Sequence, residues 1–168
     1  LDYKMFYQVN HHANMAHAKS VLALKELWPD ALVGASFAYS PTYAYDRKPE
    51  NAMAKADYDD LQNYYWMDVY AYGRYPRAAI AYLESMGVAP QFEEGDAEIL
   101  KAAAAKIDFM GVNYYQTSVV KYNPIDGVGL GTSINNTGKK GTTKATGIPG
   151  LFKSAPPLYR ILKIICKK

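Results

Sequence analysis

The chain has 168 residues, 49% of them hydrophobic and 21% charged, with a formal net charge of +3. That length fits one ordinary domain with a real core, and the composition excludes a disordered chain. One cysteine, Cys166, excludes an internal disulfide, and no apolar run of about 18 residues offers a membrane span. With no signal-peptide pattern either, the expected location is a reducing compartment, the cytoplasm.

The net charge hides an asymmetry. Residues 139–168 hold eight Lys or Arg and no acid, which leaves 11 basic and 16 acidic groups elsewhere, a net −5. A basic tail of this kind can bind nucleic acid or anionic lipid. No nucleic-acid module accompanies it, so neither nucleic acid nor membrane is expected as a partner. Tyrosine dominates the aromatics, with 16 copies against 5 Phe and 2 Trp. Tyrosines pack on sugar faces and bond sugar oxygens, and they also fill ordinary cores, so the hint is weak.

In chain order, residues 1–10 predict no element. His11 to Trp28 is rich in Ala, Leu and Met and reads as a helix stopped by Pro29 and Asp30. Leu32 to Phe37 is a short strand, opening into a proline-punctuated loop over 39–45. Pro49 suits the first turn of a long helix. Ala54, Tyr58, Leu61, Tyr65, Val69 and Tyr72 recur on one face of it, while Asp57, Asp59, Asp60, Gln62, Asn63 and Asp68 fall outside. Gly73 stops it. A helix from Arg77 to Met86 ends at Gly87, and another from Asp96 to Lys106 takes Asp96 as its N-cap. The strand at Asp108–Val112 follows, and 123–150 reads as a long loop. Strands alternating with helices argue for parallel βα units. Two strong strands are too few for a closed barrel or an open sheet.

The chain is organised around residues 107–120 (IDFMGVNYYQTSVV). The apolar run from Phe109 to Val112 ends abruptly in Asn113, Tyr114 and Tyr115. It reads either as a buried strand delivering polar side chains where α/β folds bind ligands, or as a core strand capped by tyrosines. Elsewhere no chemistry declares itself. His11, His12 and His17 share a helix, but their spacing does not put three metal ligands on one face, and they read as surface or core histidines bonded locally. No Ser or Cys sits in a nucleophile signature. The glycines at 127, 129 and 131 lack the spacing and the following helix of a phosphate loop.

Several stretches together resemble glycoside hydrolase family 1. They are residues 7–18 (YQVNHHANMAHA), 40–43 (SPTY), 64–70 (YYWMDVY) with 73–76 (GRYP), and 107–115 (IDFMGVNYY). Residues 123–129 (NPIDGVG), 138–141 (GKKG) and 147–153 (GIPGLFK) resemble its 6-phospho-β-glucosidase branch. The order and spacing of the stretches, over roughly residues 3–153, make the likeness specific.

The resemblance implies an α/β fold, part of a (β/α)₈ TIM barrel: the helix after strand 4 through strand 6 and the loop that follows. Residues 1–153 would be this central portion. Residues 154–168 would be an atypical basic tail, from a frameshifted or truncated reading frame. The implied reaction is retaining hydrolysis of a β-glucoside or 6-phospho-β-glucoside with no cofactor, no metal and two glutamates. In such enzymes the carboxyls stand about 5 Å apart, one attacking the anomeric carbon while the other protonates the leaving oxygen. The family carries them in Asn-Glu-Pro and Glu-Asn-Gly motifs, and neither motif occurs here. Glu50 and Asn51 form the only Glu-Asn pair, and Ala52 follows it. Two positions carry over: Asn113 and Tyr115 match the family's Asn-x-Tyr, the tyrosine hydroxyl bonding the nucleophile and the asparagine supporting the sugar site. The chain alone is therefore expected to be inactive. An unphosphorylated β-glucosidase, a 6-phospho-β-galactosidase or a non-catalytic carbohydrate-binding fragment are the alternatives.

Overall fold

The structure is a computed structural model describing residues 2–114, 117–122 and 132–134. In chain order the elements are α1 (Tyr3–Leu27), β1 (Gly34–Tyr39), β2 (Thr42–Ala44), α2 (Pro49–Asp59), a π-helical turn (Asp60–Tyr64), α3 (Tyr65–Tyr72), α4 (Arg77–Ser85), α5 (Asp96–Ala104), β3 (Phe109–Tyr114), β4 (Ser118–Tyr122) and β5 (Thr132–Ile134). They divide into two compact units. The first joins the residues up to Phe37 to Tyr64–Gly111; the second joins Ala38–Asn63 to the described residues from Val112 onward.

In the first unit, α1 starts at Tyr3 and not at His11. The cause is Asp2, whose carboxylate accepts from the Met5 N–H at 3.0 Å and caps the first turn. Met15, Ala18 and Val21 of α1 meet Val33, Val69 of α3, and Leu100 and Ala103 of α5 in one apolar core. Burying each of the larger chains is worth about 2 kcal/mol. Gly73 ends α3 as expected, at φ +67°, and a Cβ there would run into the backbone of Lys101. The N-cap of α5 is Gly95, at φ +90°, and not Asp96. The Asp96 side chain has turned inward instead, to His11.

β1 and β3 pair with each other. Asp108 fixes their start. Its N–H donates to the Val33 carbonyl at 2.8 Å, while its carboxylate accepts from the Val33 N–H at 2.8 Å and from Lys25 Nζ at 2.7 Å. The Lys25 ammonium and that N–H hold the Asp108 carboxyl below the usual range. Gly34 is obligatory, since a Cβ would collide with the carbonyl oxygen and ring of Phe109. β3 was expected to be buried, yet Phe109 is 52% exposed. Among the described residues its neighbour in the sheet is β1 alone.

In the second unit, two segments expected to be loop are strands. Residues 42–44 form β2, parallel to β4 with Thr42 opposite Ser118 and Ala44 opposite Val120. Residues 132–134 form β5, antiparallel to β4 with Val120 opposite Ile134. These three-residue runs are too short for the β propensity of their Thr, Tyr and Ile to declare a strand; long-range ladder bonds make them strands. The Pro41 carbonyl joins the ladder by accepting from the Ser118 N–H at 2.9 Å. Val120 packs with Ala54 and Tyr58 of α2.

The long helix is interrupted. Ala54, Tyr58, Tyr65 and Val69 are buried as their spacing predicts, but Tyr72 is exposed, and Asp59 and Asn63, expected outside, are each only 3% exposed. The π-helical turn, with its wider i→i+5 bonding, re-phases the faces between α2 and α3.

Candidate functional site

Asn113 lies near the C-terminal end of β3 and is exposed there. Tyr114 faces the other way, as alternation requires. It is half-buried, and its hydroxyl is 2.7 Å from Thr117 Oγ1. Tyr115, the glycines at 127, 129 and 131, Cys166 and the tail 154–168 lie outside the described residues.

The second unit holds a connected polar network that the periodicity of the long helix conceals. Asp59 accepts from Thr42 Oγ1, from Lys55 Nζ, and from Asn63 Nδ2 at 3.0 Å. Asn63 turns its amide onto the Ser40 backbone, its Nδ2 donating to the carbonyl at 3.0 Å and its Oδ1 accepting from the N–H at 3.3 Å. Ser40 Oγ lies 3.1 Å from Ser118 Oγ. The segment following β1 is thus fixed to α2 and to β4. The signal available in the sequence was the i,i+4 pair of Asp59 and Asn63 beside Tyr58, readable as an inward polar stripe once the turn widens. Asp59 is committed to three partners and is not available as a nucleophile. Burial, then the charges of Asp57 and Asp59, push the neighbouring Asp60 carboxyl up.

Glu50 and Asn51 open α2, as expected. Glu50 is exposed. Asn51 is structural: its Nδ2 donates to Asp46 Oδ1 at 2.7 Å and its Oδ1 accepts from the Tyr122 N–H at 2.8 Å.

The histidines do not form a metal site, and among the described residues no group of three ligating side chains converges. His11 is buried, as one of the two readings had it, but its partners are far away in sequence. Its Nε2 is 2.9 Å from Asp96 Oδ2, and its Nδ1 is 3.0 Å from the Tyr75 hydroxyl. Burial opposes the Asp96 charge, but the Glu93 N–H and His11 outweigh it and hold the carboxyl below its usual range. An ionised carboxylate only accepts, so Nε2 carries a proton. The Tyr75 oxygen also accepts from Asn14 Nδ2 at 3.0 Å. Burial pushes the Tyr75 hydroxyl up to about 12.

The tyrosines expected to hint at sugar thus serve, in large part, the core. Tyr65 is fully buried against Tyr7 and Tyr75, with ring centroids 5.4 and 4.8 Å away, and Tyr70 donates to Asn14 Oδ1 at 3.2 Å. A crevice of about 10 Å³ among α1, α3 and α5, beside His17, has room for a water and not for a sugar.

Three comparisons bear on what this arrangement belongs to. The model of glycosyl hydrolase family 1 matches residues 1–168, the basic tail included. The chain is 45% identical over 91% of its length to the aryl-phospho-β-D-glucosidase BglC of Bacillus subtilis, covering 31% of that protein. It is 32% identical over 68% of its length to a 6-phospho-β-galactosidase of Streptococcus pneumoniae, covering 25% of it. Among solved structures, a β-glucosidase from Exiguobacterium marinum superposes with a TM-score of 0.70 at 23% identity, over 90% of this chain and 34% of that one. The α/β fold of the described residues is therefore that of a portion of such enzymes, and the chain spans a quarter to a third of the length of these relatives. Among the described residues no helix is long and apolar enough to cross a membrane.

Proposed function

Because this chain belongs to glycosyl hydrolase family 1, we propose that it is a piece of a retaining β-glycosidase whose substrate is a 6-phospho-β-glucoside. The 45% identity to an aryl-phospho-β-D-glucosidase carries the substrate assignment. The piece corresponds to the helix after barrel strand 4 through strand 6 and the following loop, with β1 and β3 in the roles of strands 5 and 6. Residues 1–153 are this portion, and the basic tail 154–168 also falls within the family match.

The reaction needs two carboxylates about 5 Å apart. This chain has neither family motif, and Asp59, the most deeply buried carboxylate among the described residues, is held by three partners. The chemistry therefore belongs to glutamates outside it. This chain's part is positioning. Asn113, exposed near the end of β3, supports the sugar site. Tyr115 donates its hydroxyl to the nucleophile carboxylate, keeping it ionised and aimed. No cofactor enters this scheme. A cytoplasmic location for the parent is supported by the charge of that substrate, since a sugar phosphate does not cross a bilayer unaided.

A second reading, a hydrolase of unphosphorylated β-glucosides, is favoured by the solved β-glucosidases and by the 29% identity to β-glucosidase A of Acetivibrio thermocellus. One chimera decides between them: BglC with its matching stretch replaced, in one polypeptide, by residues 1–153. We expect it to hydrolyse p-nitrophenyl β-glucoside 6-phosphate and the isolated chain to hydrolyse nothing. A folded but inactive chimera would sink the proposal, and preference for the unphosphorylated glucoside would favour the second reading.

A further inference from the structure

β3 leaves Asn113 exposed and, by alternation, turns Tyr114 the other way. What Tyr114 meets there is polar. Its hydroxyl lies 2.7 Å from Thr117 Oγ1, and Thr117 is only 5% exposed. Ser118, the next residue and the first of β4, is more deeply buried still. Its Oγ lies 3.1 Å from Ser40 Oγ, its N–H donates to the Pro41 carbonyl at 2.9 Å, and its side chain also bonds Tyr58 of α2. Ser40 has both backbone groups bonded to the Asn63 amide, which Asp59 holds. A path of hydrogen bonds, with one peptide link between Ser118 and Thr117, therefore runs from the Asp59 carboxylate to the ring beside Asn113. Every residue on it belongs to the second unit.

On stability alone, hydroxyls are a poor filling for this space. A buried hydroxyl adds little when bonded and is a liability when it is not, so apolar side chains of similar shape would hold β4 in place as well. What bonded hydroxyls add is direction, because a hydrogen bond fixes an angle as well as a distance. That direction converges on Tyr114, next to a side chain that has to be aimed.

We propose that Thr117 is a positioning residue for the hydrolysis: by fixing Tyr114 it sets the orientation of Asn113 at the sugar site, and Ser118 and Ser40 anchor it to the end of α2. The inference rests on the reading of Asn113 as a sugar-site residue. Thr117 itself touches no substrate in this scheme. A side chain that bonds the sugar raises the rate where its bond tightens in the transition state. Releasing Tyr114 leaves Asn113 present but no longer aimed, and a misplacement of about 1 Å can slow a reaction about a hundredfold. The loss therefore falls on kcat more than on KM.

The test uses the chimera of BglC bearing residues 1–153, with p-nitrophenyl β-glucoside 6-phosphate as substrate. Thr117→Val keeps the shape and removes the hydroxyl. We expect kcat to fall about tenfold while KM changes less than about twofold, and Thr117→Ser to restore most of the loss. Asn113→Ala supplies the readout that a merely structural role would not move. In that background Thr117→Val should lower kcat no further, because the side chain it aims is gone.

An unchanged kcat in Thr117→Val, with the unsubstituted chimera active, would overturn the proposal and leave the family reading intact. Equal losses with and without the Asn113 side chain would mean that Thr117 acts through the fold at large, and would overturn it as well. Should Thr117→Val fail to fold, Tyr114→Phe removes the same bond from its other end, and the same dependence on Asn113 is expected. A folded, unsubstituted chimera that hydrolyses nothing would take down the family reading and this inference with it.

Discussion

The two units are held by different balances of apolar and polar contacts. The first is dominated by an apolar core of Met15, Ala18, Val21, Val69, Leu100 and Ala103, where helices meet a strand pair, with the buried His11, Asp96 and Tyr75 contacts as its polar part. The second has a small apolar centre of Ala54, Tyr58 and Val120, and beside it the buried carboxylate of Asp59 with its hydroxyl, amide and ammonium partners. An apolar core tolerates similar volumes and loses energy roughly by area; a buried charge network is satisfied as a whole or becomes a liability. The first unit is therefore scaffold, and the second fixes register and geometry next to Asn113.

The largest effect belongs to the first unit. Leu100→Ala should cost about 3 kcal/mol, by lost transfer and a cavity between α1 and α5. Urea unfolding followed by circular dichroism checks it, and a loss below about 1 kcal/mol would mean this core is not packed as described. Asp59→Ala comes next, at about 2 kcal/mol, since it strands Thr42 and Asn63. Hydrogen exchange should quicken in β4 and spare α1 and α5. Uniform quickening across both units would erase the distinction drawn between them.

Acid should separate the units by sign. Asp96 and Asp108, in the first, have carboxyls held low, so their stabilisation is complete above the unfolded value of about 4 and is lost as pH falls through their folded values. Asp60, in the second, is raised, so its contribution is complete below about 4 and is lost as pH rises through its folded value. Hydrogen exchange between pH 5 and 3, corrected for intrinsic rates, should show protection falling around α5 and not around α2. Equal losses would contradict the directions assigned. The smallest change is Met53→Ser on the exposed side of α2, expected to stay within about 0.5 kcal/mol in the same urea measurement.

Helix faces are legible wherever one period runs unbroken. Ala54 and Tyr58, then Tyr65 and Val69, are buried as spacing demands, and Gly73 stops α3 in the left-handed region. Legibility fails where a turn changes period, so spacing assigns Asp59 and Asn63 to solvent although both are buried. It fails also where one side chain has two possible uses: Asp96 suits an N-cap, but His11, 85 residues away, recruits it. The same limit applies to Thr42–Ala44, which is a strand because Ser118–Val120 lies alongside. Of the candidate site, Asn113 and Tyr115 are read from a motif, and the geometry adds the exposure of Asn113 and the opposite facing of Tyr114.

By itself the sequence determined the family, the helices, most of their stops and the absence of both catalytic motifs, because motifs, periodicity and glycine stereochemistry are local along the chain. Only the tertiary structure decided the pairing of β2 with β4, the inward turn of Asp59 and Asn63, and the His11–Asp96 contact. Each of these depends on a partner distant in the chain, and the energy of burying or bonding it outweighs the local preference.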